Sequence, residues 1–152
     1  MTTDKNEVPV RWEINASLST RAGALIPESV MDCAGSIQGN KLTLDYGKVK
    51  VEKQLDQPVY FQWGIPHLIA SGKAKRAPLK FTMLEEALKL KANQQLAYQG
   101  RVDIPTDAGT IPLDSYMQTG DGIQPTHYLA DEYGCVQVVS REVENQLLSK
   151  VS

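Results

Sequence analysis

Six apolar side chains, Val8, Val10, Trp12, Ile14, Ala16 and Leu18, alternate with Pro9, Arg11, Glu13, Asn15 and Ser17 near the start of this chain. Successive side chains of a strand point to opposite faces, so a run of this kind buries one face and wets the other. A half-buried strand so early requires a sheet with a core on one side. The polar residues before it, 1–7, read as a flexible leader, and 8–152 as a single β-rich domain.

The alternation recurs along the chain. Leu42, Leu44 and Tyr46 are apolar on even positions and Val49 and Val51 on odd ones, with the parity changing at Gly47. Either a β-bulge or a tight turn at Tyr46-Gly47-Lys48 produces that change. Val59, Phe61 and Trp63 form a further strand, stopped by Gly64-Ile65-Pro66, and Leu79, Phe81 and Met83 another. Leu96, Tyr98, Val102 and Ile104 alternate with Gly100 in register, and Thr106-Asp107-Ala108-Gly109 turns the chain into Thr110–Leu113 as a hairpin.

Two segments read as short helices. Thr82 and Glu85 have capping-box spacing, with Leu84, Ala87 and Leu88 on one helical face, which predicts a helix over 82–92. Leu88, Leu90 and Ala92 also alternate with Lys89 and Lys91, so a strand competes there. Ser140 as an N-cap before Val143, Leu147, Leu148 and Val151 predicts a second helix over 141–150. The expected fold is mainly β, an antiparallel β-sandwich or partly open barrel with these one or two short helices.

At 152 residues the chain is long enough to bury a sizeable core without cross-links. Cys33 and Cys135 are its only cysteines, and their wide separation reads as two buried thiols in a cytosolic protein. A bridge between them would be the reading for an exported chain. No apolar run approaches a membrane span, so membrane insertion is not expected. With Met1 as a native start the expected location is cytoplasmic; a virion or an extracellular assembly is the alternative.

Charge is unevenly distributed. Residues 1–72 carry 7 basic and 8 acidic groups, residues 73–101 carry 7 and 2, and residues 102–152 carry 2 and 8. A basic middle and an acidic final third can neutralise each other within one molecule or head-to-tail between copies.

No catalytic, cofactor-binding or metal-ligating residue is assigned. His127, Asp131 and Cys135 are spaced four apart, but Pro125 and Gly134 interrupt the helix that would align them for thiol catalysis. Two isolated histidines, His67 and His127, and no paired cysteines leave no zinc spacing. Asp107-Ala108-Gly109-Thr110 lacks the hydroxyl residue of an aspartic-protease signature and reads as a turn. Cys33 followed by Leu42–Gly47 and Val49 resembles the first-cysteine region of chaperone–usher pilins. The second cysteine of that pattern, near Phe61–Ile65, is missing, and no family is assigned.

The candidate binding residues are Trp12, Trp63, Lys73, Lys75 and Arg76. The basic stretch, with Lys80, reads as an exposed hairpin tip; without interleaved aromatics it does not favour nucleic acid. These features fit a non-enzymatic structural or assembly module, of the kind found in virion, tail or appendage subunits, that binds itself or a protein partner. One alternative is a small apolar ligand-binding β-barrel lined by Trp12, Trp63, Phe61, Tyr60 and Tyr98. A second is a small hydrolase using Cys135 and His127.

Overall fold

The computed structural model describes residues 2–4, 8–86, 89–141 and 145–147, the last three by their backbone alone. The chain is mainly β, with two antiparallel sheets and few short helices, the content expected of a sandwich-like fold. Both sheets are open, so neither forms a closed barrel. The chain divides into two compact units, Met1–Val59 and Tyr60–Ser152.

The first unit holds β1 (Thr2–Thr3), β2 (Pro9–Ala16), β3 (Met31–Gln38), β4 (Lys41–Asp45) and β5 (Lys50–Gln54), paired in sequence order. Trp12 sits opposite Gly35, Ile14 opposite Cys33, Gly35 opposite Leu44, and Ile37 opposite Leu42. That register gathers the apolar side chains of three strands on one face. Val10 and Leu18, expected to share it, are exposed instead: Leu18 lies beyond the end of the strand at Ala16, and at the start of the strand it is Pro9, read as part of the wet face, that is buried. Thr2 and Thr3 of the leader pair with Arg11 and Pro9 of β2.

At Gly47 the turn prevails over the bulge. The Tyr46 amide donates to the Val49 carbonyl at 2.8 Å, the Gly47 amide donates to Asp45 Oδ1 at 2.8 Å, and Asp45 then faces Lys50. Gly47 has φ of 78°, a left-handed geometry suited to glycine.

The second unit contains β6 (Val59–Phe61, beginning at the end of the first unit), β7 (Leu79–Glu85), β8 (Lys89–Thr106), β9 (Gly109–Thr119), β10 (Thr126–Ala130), β11 (Val136–Ser140) and β12 (Asn145–Leu147). They form one seven-stranded sheet in the order β12-β11-β10-β9-β8-β7-β6. Two short helices, α1 (Ile65–Ala70) and α2 (Lys73–Arg76), complete it. Ile65, Leu68, Ile69 and Ala74 from the helices pack with Phe81, Met83, Leu96, Tyr116, Tyr128 and Ala130 from the sheet.

Both predicted helices are misplaced. Residues 79–85 and 89–106 are strands β7 and β8, and Glu85 faces Lys89 across their turn. The alternation from Leu79 through Met83 is satisfied by pairing with β8, and that long-range pairing overrides the local capping spacing. Within 141–150, Asn145–Leu147 is a strand paired with Val138–Ser140; residues 142–144 and 148–150 lie outside the described residues. The helices that do form start after Gly64, with Pro66 in the first turn where a missing N–H costs nothing. Lys73–Arg76 is therefore a helical turn, not a hairpin tip.

Among the described residues no helix is long and apolar enough to cross a membrane. Neither cysteine is in a disulfide; Cys33 is buried as expected, whereas Cys135 is exposed. Burial, and after it the Asp45 charge, push the Cys33 thiol up from its ordinary value.

Candidate functional site

The five residues expected to bind do not form one surface. Trp12 is only 2% exposed and its ring lies over Gly35, where an added Cβ would overlap it. It is a core residue of the first unit. Trp63 belongs to the second unit, is 50% exposed and stacks on Phe61 with ring centroids 4.7 Å apart. Lys73, Lys75 and Arg76 are exposed on α2.

Lys75 is already engaged. Its Nζ donates to Asp114 Oδ2 at 2.5 Å and lies 5.1 Å from the centroid of the Tyr98 ring. The Tyr98 hydroxyl donates to Asp114 Oδ1 at 3.0 Å. Burial alone would raise the Asp114 carboxyl, but the hydrogen bonds from Lys75 and Tyr98 outweigh it and hold the carboxyl below its ordinary value. The bond to Asp114 likewise raises Lys75. Here a residue of the basic middle is matched with one of the acidic final third inside a single chain.

His127, Asp131 and Cys135 do not assemble either. His127 is exposed on β10, opposite Met117 and Ser140. Cys135 precedes β11, five residues before Ser140; at the rise of a strand that places it on the order of 15 Å from His127. Asp131 organises the intervening turn: Oδ1 accepts from the Tyr133 and Cys135 amides at 3.0 and 2.9 Å, and Oδ2 from Gln137 Nε2 at 2.9 Å. The aromatic residues proposed to line a cavity pack in pairs instead, Tyr60 against Phe81, Phe61 against Trp63 and Tyr98 against Tyr116.

What projects from the second unit is the far end of the β8–β9 hairpin. β7 pairs with β8 only as far as Leu96, and β10 pairs with β9 only as far as Asp114. Beyond those points residues 101–113 continue as a two-stranded ribbon, closed by the turn at Asp107-Ala108. Among the described residues no third strand flanks it.

A bulge at the root of this arm changes which face is apolar. Tyr98 faces Tyr116 and Gly100 faces Ser115, so one extra residue, Gln99, stands in β8. Ser115 and Tyr116 are neighbours and point to opposite faces. The run Leu96-Tyr98-Gly100-Val102-Ile104, read from sequence as one continuous register, therefore switches sides between Tyr98 and Gly100. Tyr98 joins the helix-covered core, whereas Val102 and Ile104, facing Leu113 and Ile111, present their apolar side to the other face. Val102 is 37% exposed and Ile111 49%, with Pro105 and Pro112 also exposed.

Comparison with protein families, curated proteins and solved structures finds no match to this chain.

A second feature of the same unit is a cavity of about 240 Å³, lined by residues of β7, β8, β9 and β10 and of the loop before β10. Gln118 and Tyr128 lie in it with Met83, Thr126 and Ile123, and Glu85, Lys91 and Arg141 carry its charge. Sequence reading assigned none of these residues to a site. The available signal was Gln118, a polar residue at an inward position of β9 where an aliphatic one would serve a plain core.

Proposed function

We propose that this chain is a non-enzymatic assembly module whose contact element is the β8–β9 arm, and that the partner is a second copy of the chain. The observation that carries the reading is the arm itself. An isolated two-stranded ribbon is marginally stable in water, and one that exposes Val102 and Ile111, with Ile104 half-buried, on one face gains by covering them.

The contrast with β5 supports it. That edge strand is exposed at every residue and carries Lys50, Glu52 and Lys53, the charged composition that blocks edge-to-edge pairing. The arm lacks such protection on its apolar side. Its charged side chains are Arg101, Asp103 and Asp107, one negative charge net, while exposed Lys73, Arg76 and Lys80 offer complementary charge on the same unit. An acidic, apolar projection and a basic surface on one chain suit head-to-tail contact between copies.

The test is the mass in solution, by light scattering, of the native chain and of the Val102→Lys/Ile111→Lys double variant. The native chain is expected at a multiple of its own mass at low salt, and the double variant as a folded monomer. Equal masses for the two would overturn the reading.

A further inference from the structure

We infer that the cavity above Gln118 and Tyr128 is a binding site for a neutral polyhydroxyl molecule the size of one sugar ring. Its floor has only acceptor capacity left, its charges are already matched, and its rim carries unengaged amides.

Gln118, Thr126 and Tyr128 form the floor and are each more than nine-tenths buried. Gln118 Nε2 donates to Met83 Sδ at 3.3 Å and to Gln94 Oε1 at 3.1 Å, which commits both of its protons. The Tyr128 hydroxyl donates to Gln118 Oε1 at 2.9 Å, and the Thr126 hydroxyl donates to the Gln124 carbonyl at 3.1 Å. Burial pushes the Tyr128 phenol up to about 12, so it holds its proton at neutral pH. What remains is one lone pair on Gln118 Oε1 and the hydroxyl oxygens of Tyr128 and Thr126. Such a floor accepts from a ligand's O–H or N–H and repels a carboxylate or phosphate.

The charged residues then decide between a cationic and a neutral donor. Glu85 and Lys91 pair at 2.7 Å, so each neutralises the other. Arg141 already holds an interaction within the chain, and its positive charge still reaches Tyr128. An ammonium group on the floor would face that charge and find no unmatched carboxylate among the lining residues. The donor that suits the floor without a charge is a hydroxyl group.

The rim suits the same chemistry. Gln62 and Gln124 line the cavity, and among the described residues neither side-chain amide has a hydrogen-bond partner. Each offers a carbonyl oxygen and an NH2 group, matching hydroxyls that both donate and accept. Met83 and Ile123 supply apolar contact for the C–H edges of a ring. The volume of about 240 Å³ lies below the range of drug-sized ligands and admits a single sugar ring.

The site is also held open in advance. Asn93 Nδ2 donates to Asp121 Oδ2 at 2.7 Å and Gln94 Nε2 donates to the Asp121 carbonyl at 3.1 Å, pinning the loop that carries Gly122, Ile123 and Gln124. Gly120 lies so close to the Gln94 amide that an added Cβ would overlap it. A pinned wall and a buried polar floor are the preorganisation that small-ligand sites need.

Calorimetric titration of the full chain with D-glucose, D-galactose, D-mannose and myo-inositol, one at a time at millimolar concentration, tests the inference. At least one is expected to bind and to shift the Gln118 side-chain amide signals in nitrogen-15 spectra. Two charged relatives of the bound molecule, one carrying a carboxylate and one an ammonium group, should each bind at least about tenfold more weakly. Gln62→Ala and Gln124→Ala, which trim the rim and leave the buried floor intact, should each weaken binding about five- to tenfold. No binding by any of the four, equal binding of either charged relative, or an unchanged affinity in both variants would each overturn it.

Discussion

Lys75 and Asp114 meet at 2.5 Å, joining the one-turn helix α2 to β9 where the arm leaves the sheet. Asp114 faces Arg101 across the β8–β9 pairing and takes a second bond from Tyr98. The contact fixes the root of the arm to the unit's core face while its apolar residues point to the other.

The pH dependence of that contact has a definite sign. Asp114 is held below its ordinary value in the fold, so its stabilisation is present above the unfolded value of about 3.9 and is lost as pH falls through the lower folded value. Melting curves of Asp114→Asn are therefore expected to show a lower midpoint than the native chain at pH 7. The gap should close as pH drops below about 4. A gap that persists at pH 2 would contradict the role given to the charge.

Trp12 and Gly35 make a second testable pair. Gly35→Ala places a methyl inside the Trp12 ring, and overpacking of that severity destabilises by about 3 kcal/mol. Trp12→Ala opens a cavity and costs about 3–5 kcal/mol. Because the two residues share one space, the double variant should be less destabilised than the sum of the single ones by denaturant unfolding. Strict additivity would show that the ring does not cover Gly35.

Tyr128 governs the alkaline side. Its folded value of about 12 lies above the unfolded value of about 10, so the stability it contributes is complete below about pH 10 and is lost as pH rises toward 12. The loss amounts to about 3 kcal/mol. Tyr128→Phe should flatten that limb, while at pH 7 it costs about 1–3 kcal/mol because Gln118 Oε1 loses its donor. An unchanged alkaline limb would assign the titration to another tyrosine.

Strands were the legible part of this sequence. The alternation about Trp12, the pair Leu42 and Leu44, and the hairpin closing at Thr106–Gly109 each follow from period-two patterning and turn residues, and each is present. Helix α1 was not legible, because the six residues Ile65–Ala70 are too few to show a helical period, follow Gly64 and carry Pro66 in their first turn. Residues 82–92 satisfied both periods locally, and only the register of β7 against β8 decides between them.

The candidate sites were hidden for the same reason. The bulge at Gln99 that turns Val102 and Ile104 away from the core is defined by opposing residues in β9, which Leu96–Ile104 alone does not contain. Gln94 and Gln118 drew no notice in the sequence, yet both are almost fully buried and hydrogen-bond each other across the sheet. The charge split was visible in sequence; that Lys75 uses part of it internally was not.

The central claim, association through the arm, is tested most directly by amide hydrogen exchange over residues 101–113 at rising protein concentration, with the mass followed in parallel. The account predicts that exchange in this segment slows in step with the appearance of oligomers, while β5 at the edge of the other sheet is unaffected. A chain that stays monomeric, or one that oligomerises with the exchange of 101–113 unchanged, would contradict it.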